Sequence, residues 1–196
     1  GGMVLGVADD PGMHSSQNEQ DSRNYAIAAK LPMVEPADSA ECRDFTKLAY
    51  ELSEQFDTPV LLRLSTRISH SRSIVELKER ENLPLKPYEK NPTKKHVAVE
   101  ERTDALTAWA ETSPINRIED NGSEVGVIAA GSVYQYAREA LGDTVSYLKL
   151  GMVNPLPEKL IRTFAGKVKK LYVIEELDPI IENFCRKIGV EVIGKD

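Results

Sequence analysis

The sequence predicts an α/β protein built from two parallel-sheet α/β units joined by a charged linker. Three observations carry that reading. Short, nearly continuous apolar runs recur, as in "MVLGVA" (3–8), "VLLRL" (60–64) and "EVGVIAAG" (124–131), and such runs suit strands covered on both faces. They alternate with segments whose apolar residues repeat at helical spacing, an order that implies right-handed crossovers and a parallel sheet. From about Ser73 to Asn121 the alternation stops and mixed charge takes over.

Taken in order, "MVLGVA" is the first strand, and a polar stretch from Asp9 to Gln20 follows it. "DSRNYAIAAK" (21–30) predicts a helix with Tyr25, Ala28 and Ala29 inward, and "PMVEP" (32–36) a second strand closed by Pro36. "ADSAECRDFTKLAYELSEQF" (37–56) is the clearest helix of the first half. Asp38 and Glu41 make a capping-box-like start, and Phe45, Leu48, Ala49, Leu52 and Phe56 line one face. "VLLRL" is the third strand, with "STRISHSRS" (65–73) read as a polar loop beyond it.

In the connecting region Pro84, Pro87 and Pro92 interrupt a run of mixed charge. Between Glu76 and Asp104 there are seven Lys/Arg and seven Asp/Glu, so this is no basic arm. Within it "VAVEERTDALTAWAETS" (97–113) predicts one helix, with Leu106 and Trp109 inward and Trp109 as a packing anchor. The final part alternates again. "EVGVIAAG" is a strand, and "SVYQYAREALG" (132–142) a helix with Ser132 as N-cap and Gly142 as its stop. "TVSYLKLG" (144–151) and "KKLYVIEE" (169–176) are strands, with the helix "LPEKLIRTFAG" (156–166) between them. "DPIIENFCRKIG" (178–189) is a helix and "VEVIG" (190–194) a last strand.

Bulk properties exclude several classes. The formal charge of −6 supplies no positive field to gather phosphates, which argues against nucleic acid as a partner. No apolar run approaches the roughly 18 residues of a membrane span, and no signal-peptide pattern is present. The two cysteines, Cys42 and Cys185, lie far apart without a C-x-x-C pair, so they read as reduced buried thiols of a cytoplasmic protein. They cannot ligate an iron–sulfur cluster or a structural zinc by themselves. The chain opens almost inside a strand and stops as another should finish, which leads us to expect a fragment of a longer polypeptide.

Sites in open parallel sheets gather beyond the carboxyl ends of strands, and the loops at 9–20 and 65–73 leave strands in that direction. His14, Ser15, Ser16, Gln17, Asn18 and Gln20 would then share an edge with Arg63, Arg67, His70 and Arg72, a set that suits a carboxylate or phosphate. Composition alone leaves a solvated loop equally open. A Ser–His–Asp hydrolase lacks the G-x-S-x-G elbow, and a metal site on His14 and His70 has no ligand spacing behind it. "GVIAAGS" (126–132) has neither dinucleotide nor P-loop glycine spacing, so it reads as a tight structural turn. Glu175 and Glu176 read as charge at a helix N-terminus rather than as an acid/base dyad.

Several motifs in one order carry a resemblance: "VADDPGMHSSQNEQDSRNYA", "TPVLLRLSTRISHSR", "SPINRIE", and "YQYAREALG" followed by "LKLGMVNPLPEKLI" and "LYVIEELDPIIE". Together they resemble the large (alpha) subunit of the indolepyruvate ferredoxin oxidoreductases, within the thiamine-diphosphate-dependent 2-oxoacid:ferredoxin oxidoreductase family. The resemblance covers nearly the whole chain and is weakest at 74–95. It implies that 1–73 is the C-terminal half of a pyrimidine-binding domain, 74–122 an inter-domain linker with one helix, and 123–196 a transketolase C-terminal-like domain. It implies oxidative decarboxylation of an aryl pyruvate to acyl-CoA, with electrons passing to ferredoxin and the hard chemistry supplied by the cofactor. Thiamine diphosphate with Mg and the iron–sulfur clusters would belong to the full-length enzyme, the clusters on segments outside this chain, with none bound to the fragment alone. The implied partners are a beta subunit, ferredoxin, the 2-oxoacid and coenzyme A. The resemblance places His14, Ser15, Ser16, Gln17, Asn18 and Gln20 next to cofactor or substrate, and offers Arg67 and His70 for a substrate oxyanion. It fixes no catalytic residue. A pyruvate or branched 2-oxoacid enzyme, or a non-catalytic assembly module, are the alternatives.

Overall fold

The computed structural model of the protein describes residues 2–79 and 95–195. The first sheet grows from the opening strands. β1 (Val4–Asp9) and β2 (Met33–Val34) both pair in parallel with β3 (Val60–Ser65), giving the order β1-β3-β2. α1 (Arg23–Ala29) and α2 (Ser39–Phe56) connect them. α2 starts as its sequence dictates: Asp38 accepts from the Glu41 amide at 2.9 Å, while the Glu41 carboxylate accepts from the Ala37 amide at 2.9 Å. The first bond satisfies one orphan amide of the first turn, and the second ties the residue before the cap back onto the helix. Phe45, Ala49 and Leu52 are buried, with Leu48 and Phe56 packed beside them.

α3 (Thr66–His70) leaves β3, and α4 (Lys95–Thr112) returns with Leu106 and Ala110 buried and Trp109 packed against the α2 cluster. The second sheet has the order β4-β6-β5-β8, from β4 (Arg117–Glu119), β5 (Val125–Ala130), β6 (Ser146–Leu150) and β8 (Lys170–Ile174). α5 (Gly131–Leu141), α6 (Glu158–Ala165) and α7 (Ile180–Lys187) cover it. Helix ends are tied across the molecule. Glu111 of α4 accepts from the Lys159 and Leu160 amides, both at 2.9 Å, and so caps α6.

The two sheets share a core. One apolar cluster runs from Ala26, Met33 and Leu61 to Ile128, Leu148, Phe164 and Ile181. β7 (Met152–Asn154), which follows β6, crosses to pair antiparallel with β2 and becomes the fourth strand of the first sheet. Asn116 holds the bend: its Oδ1 accepts from the Gly151 and Met152 amides at 2.9 and 3.0 Å, and its Nδ2 donates to the Ala110 carbonyl at 2.9 Å.

Several expectations are corrected. Each sheet keeps the expected parallel core, β1-β3-β2 and β6-β5-β8, but short β4 and β7 add antiparallel strands on the edges. Such edge strands carry too few residues for a periodicity signal. Tyr25 is 74% exposed and Ala28 and Ala29 face solvent, while Arg23 and Ala26 turn inward. Ion pairing overrode hydrophobic patterning there. "STRISHSRS" begins as a helix, capped by Ser65. α5 begins at Gly131, with Ala130 as its cap and Ser132 already inside the first turn. "VEVIG" makes one bridge, Tyr172 to Ile193, instead of a strand. Pro84, Pro87 and Pro92 lie outside the described residues.

Candidate functional site

β1 delivers two adjacent acids to the sheet's carboxyl edge, where alternation sends them apart. Asp10 organises the loop. Pro11 and Gly12 make a turn closed by the Met13 amide donating to the Asp10 carbonyl at 3.3 Å, with Gly12 at φ 81°, where a side chain would be strained. The chain then folds back over the Asp10 carboxylate. Oδ1 accepts from the His14 amide at 3.1 Å and the Thr66 hydroxyl at 2.6 Å. Oδ2 accepts from the Ser15 and Ser16 amides, each at 2.6 Å, and from the Ser15 hydroxyl at 3.3 Å. The Thr66 bond, then the Ser15 amide, hold the Asp10 carboxyl well below the usual carboxylate range.

Asp9 turns to the other side and enters a buried chain of ion pairs. Its Oδ2 accepts from Arg63 Nε at 2.6 Å, and its carboxylate also takes the Ser22 amide and hydroxyl at 2.9 and 2.5 Å. Arg63 reaches onward to Glu35 Oε1 at 2.6 Å. Arg23 is bidentate on Asp21, at 2.9 and 2.7 Å, and donates to Glu175 Oε2 at 2.7 Å. Burial would lower the Arg23 guanidinium, but Asp21, Glu35 and Glu175 outweigh it and hold it above its ordinary value. Glu175 also caps α7, accepting from the Ile181 and Glu182 amides at 3.0 Å, the helix-terminus role expected for it.

These bonds bring the carboxyl ends of the two sheets face to face. At their meeting point Gly131 has φ 56°, and a β-carbon there would run into the Glu35 carboxylate. That close approach explains the glycine of "GVIAAGS". Glu35 Oε2, Arg63 Nη2 and Ser132 Oγ are buried there without hydrogen-bond partners in the described structure. Burial pushes the Glu176 carboxyl up, and Glu35 adds to this against the pull of Arg63, Arg23 and Arg67.

The loop predicted from sequence is divided by this architecture. His14 joins Thr66, Arg67, His70 and Ser71 around a cleft of about 460 Å³, with Arg67 stacked 5.7 Å from the Tyr136 ring. Ser15 and Ser16 turn their amides inward onto Asp10, and Gln17 is exposed. Asn18 and Gln20 line a different cleft, of about 390 Å³, with Asp21, Tyr25 and Asp178. One cleft is basic and the other acidic. Arg63 shares the edge but is 1% exposed and fully engaged with acids at two nitrogens, and Arg72 is exposed outside both clefts. Sequence reading missed Asp10, Glu35 and Arg23 as organisers. The signal for Asp10 was local: an aspartate before a Pro-Gly turn, followed by serines whose amides it can accept.

Among the described residues no three His, Cys, Asp or Glu side chains gather as metal ligands do. They therefore offer no ligand set for the magnesium–diphosphate end of the implied cofactor. What the His14–Arg67–His70 cleft can do is accept an oxyanion, through a guanidinium and ring nitrogens.

No family profile matches the chain. Indolepyruvate oxidoreductase subunit IorA of Archaeoglobus fulgidus is 40% identical over 214 aligned positions, which take in all of this chain and 34% of that protein. The subunit of the same name from Methanothermobacter thermautotrophicus is 41% identical, over 92% of this chain and 32% of its own length. That of Pyrococcus horikoshii is 38% identical, over the whole chain and 34% of its length. The chain thus spans about a third of these relatives. A 2-oxoglutarate:ferredoxin oxidoreductase from Magnetococcus marinus, solved with 2-oxoglutarate, coenzyme A and succinyl-CoA bound, superposes with a TM-score of 0.74 at 15% identity, over 99% of this chain and 45% of that one. A split-gene transketolase, solved as an inactive beta4 tetramer, superposes at 0.56 and 16% identity, over 97% of this chain and 56% of that one. At those identities the two structures bear on fold alone.

Proposed function

We propose that this chain, a homologue over its whole length of about a third of indolepyruvate oxidoreductase subunit IorA, is a segment of a 2-oxoacid:ferredoxin oxidoreductase subunit that oxidatively decarboxylates aryl pyruvates to acyl-CoA. The observation that carries the site is the basic cleft of His14, Arg67 and His70 at the carboxyl edge of the first sheet. On this reading Arg67 and His70 hold the substrate's oxyanion, and His14 with Ser15 and Ser16 forms the wall beside it. Gln17, Asn18 and Gln20 continue that wall toward the neighbouring unit. The residues bind and orient. In the complete enzyme, thiamine diphosphate with Mg would supply the carbanion chemistry and iron–sulfur clusters on other segments the electron transfer.

The domain reading follows the same family: 1–73 as half of a pyrimidine-binding domain, 74–122 as linker, and 123–196 as a transketolase C-terminal-like domain. Partners are a beta subunit, ferredoxin and coenzyme A, in the cytoplasm; no helix of the described structure is long and apolar enough to cross a membrane. The test is turnover by the full-length subunit co-produced with its beta subunit. Ferredoxin reduction with indolepyruvate and coenzyme A should exceed that with pyruvate or a branched 2-oxoacid, and Arg67→Ala should raise KM at least tenfold. The isolated 196-residue chain should reduce no ferredoxin. Preference for pyruvate would refute the aryl assignment, and turnover by the isolated chain would refute the fragment reading.

A further inference from the structure

We infer that Asp10 is the positioning residue of the oxyanion cleft, joining the His14–Ser16 wall to the α3 wall that carries Arg67 and His70. The inference rests on the reading of that cleft as an oxyanion site. Among the described residues Asp10 is the one side chain bonded to both walls: Oδ2 takes the Ser15 and Ser16 amides, while Oδ1 takes the His14 amide and the Thr66 hydroxyl. Thr66 is the first residue of α3, one position before Arg67, so the Thr66 bond fixes where that helix starts relative to the loop. At 3% exposure, Asp10 contacts the walls from behind and does not line the cleft itself. Its negative charge does not repel an anion freely either, because five donors surround it.

The chemistry of the carboxylate matters here. Both oxygens face backbone N–H donors, so an asparagine in either orientation sets its own N–H₂ against at least one of them. The isosteric change should therefore release the loop, although it keeps size and polarity. Loss of the Thr66 hydroxyl removes one bond and leaves the backbone donors satisfied, a milder break.

The test uses oxalate, which presents the carboxylate and adjacent oxygens of a 2-oxoacid, titrated into the isotope-labelled chain. His14 and His70 ring resonances and the hydrogen exchange of the Ser15 and Ser16 amides are followed. Wild type should bind with both rings shifted. Asp10→Asn should bind at least tenfold more weakly and lose protection at both amides, and Thr66→Val should weaken binding a few-fold. Ser53→Ala is the control for plain destabilisation, because Ser53 accepts from the Met3 amide at 2.8 Å and donates to the Thr58 carbonyl at 2.7 Å, away from the cleft. It should lower Tm and keep wild-type affinity. Asp10→Asn binding like wild type, or Ser53→Ala weakening binding as much, would overturn the positioning role alone. Wild type showing no ring shifts, or Arg67→Ala binding equally well, would remove the oxyanion reading and this inference with it.

Discussion

The two sheets meet at their carboxyl ends but are held by different means. Away from that edge, β5, β6 and β8 of the second sheet are packed by the apolar cluster of Ile128, Leu148, Phe164 and Ile181. In the first sheet the same edge is built from Asp9, Arg63 and Glu35, with Arg23 and Asp21 beside them, all under or near a twelve-residue polar loop from Asp9 to Gln20. Both arrangements exclude water, yet they do different jobs. An apolar core layer adds stability without direction, since the hydrophobic effect is non-directional. A charged edge adds little net stability, because desolvation offsets attraction, but each bond has a partner and an angle. The site loop belongs to the directional edge.

Breaking each arrangement should separate these roles most clearly. Arg63→Met leaves Asp9 and Glu35 buried without their cation, which should cost about 3–5 kcal/mol. Leu148→Ala in the second sheet should cost about 2–5 kcal/mol through a cavity. Thermal unfolding reads both as similar losses. Hydrogen exchange should tell them apart, with Ser15 and Ser16 amides opening in Arg63→Met but staying protected in Leu148→Ala. Equal opening in both would mean that the charged edge has no special hold on the loop.

A smaller effect probes the seam between the two halves. Asp38 caps α2 and its other oxygen accepts from Gln135 Nε2 of α5 at 3.2 Å. Asp38→Ala should cost about 1 kcal/mol, the usual loss of a cap, as read by chemical denaturation. A loss several times larger would show that the α2–α5 contact carries more of the seam than the cap does.

The smallest effect depends on pH. Burial raises the Glu176 carboxyl above its ordinary value of 4.5, with Glu35 adding to this. A raised carboxyl favours the protonated folded state, so its contribution is fully present below the unfolded pKa and is lost as pH rises through the folded one. Glu176→Gln should therefore match wild type in acid and be more stable near neutrality, by less than about 1 kcal/mol after solvent screening. A stability gap independent of pH would show that Glu176 is not the group that titrates at this seam.

Much of this was legible in the residues alone. Periodicity located β3, β5, β6 and β8 and the helices α2, α4, α6 and α7, because each buries apolar residues that the pattern records. The apolar run also located β1, although that strand lies at the sheet edge with Leu5, Gly6 and Ala8 exposed rather than covered on both faces. The capping pair Asp38–Glu41 was legible too, since both partners lie within one turn. The polar loop was recognisable as a site candidate from its place after a strand. Only the tertiary structure decided that His14 would face Arg67 and His70 while Asn18 and Gln20 faced Asp178, or that Arg23 and not Tyr25 would turn inward. It also decided that β7 would leave the second sheet and join the first. The physical reason is the same in each case. Local patterns encode burial over a few neighbouring residues, whereas Arg23 answers to Glu175, 152 positions away, and an ion pair of that span leaves no periodicity in the sequence.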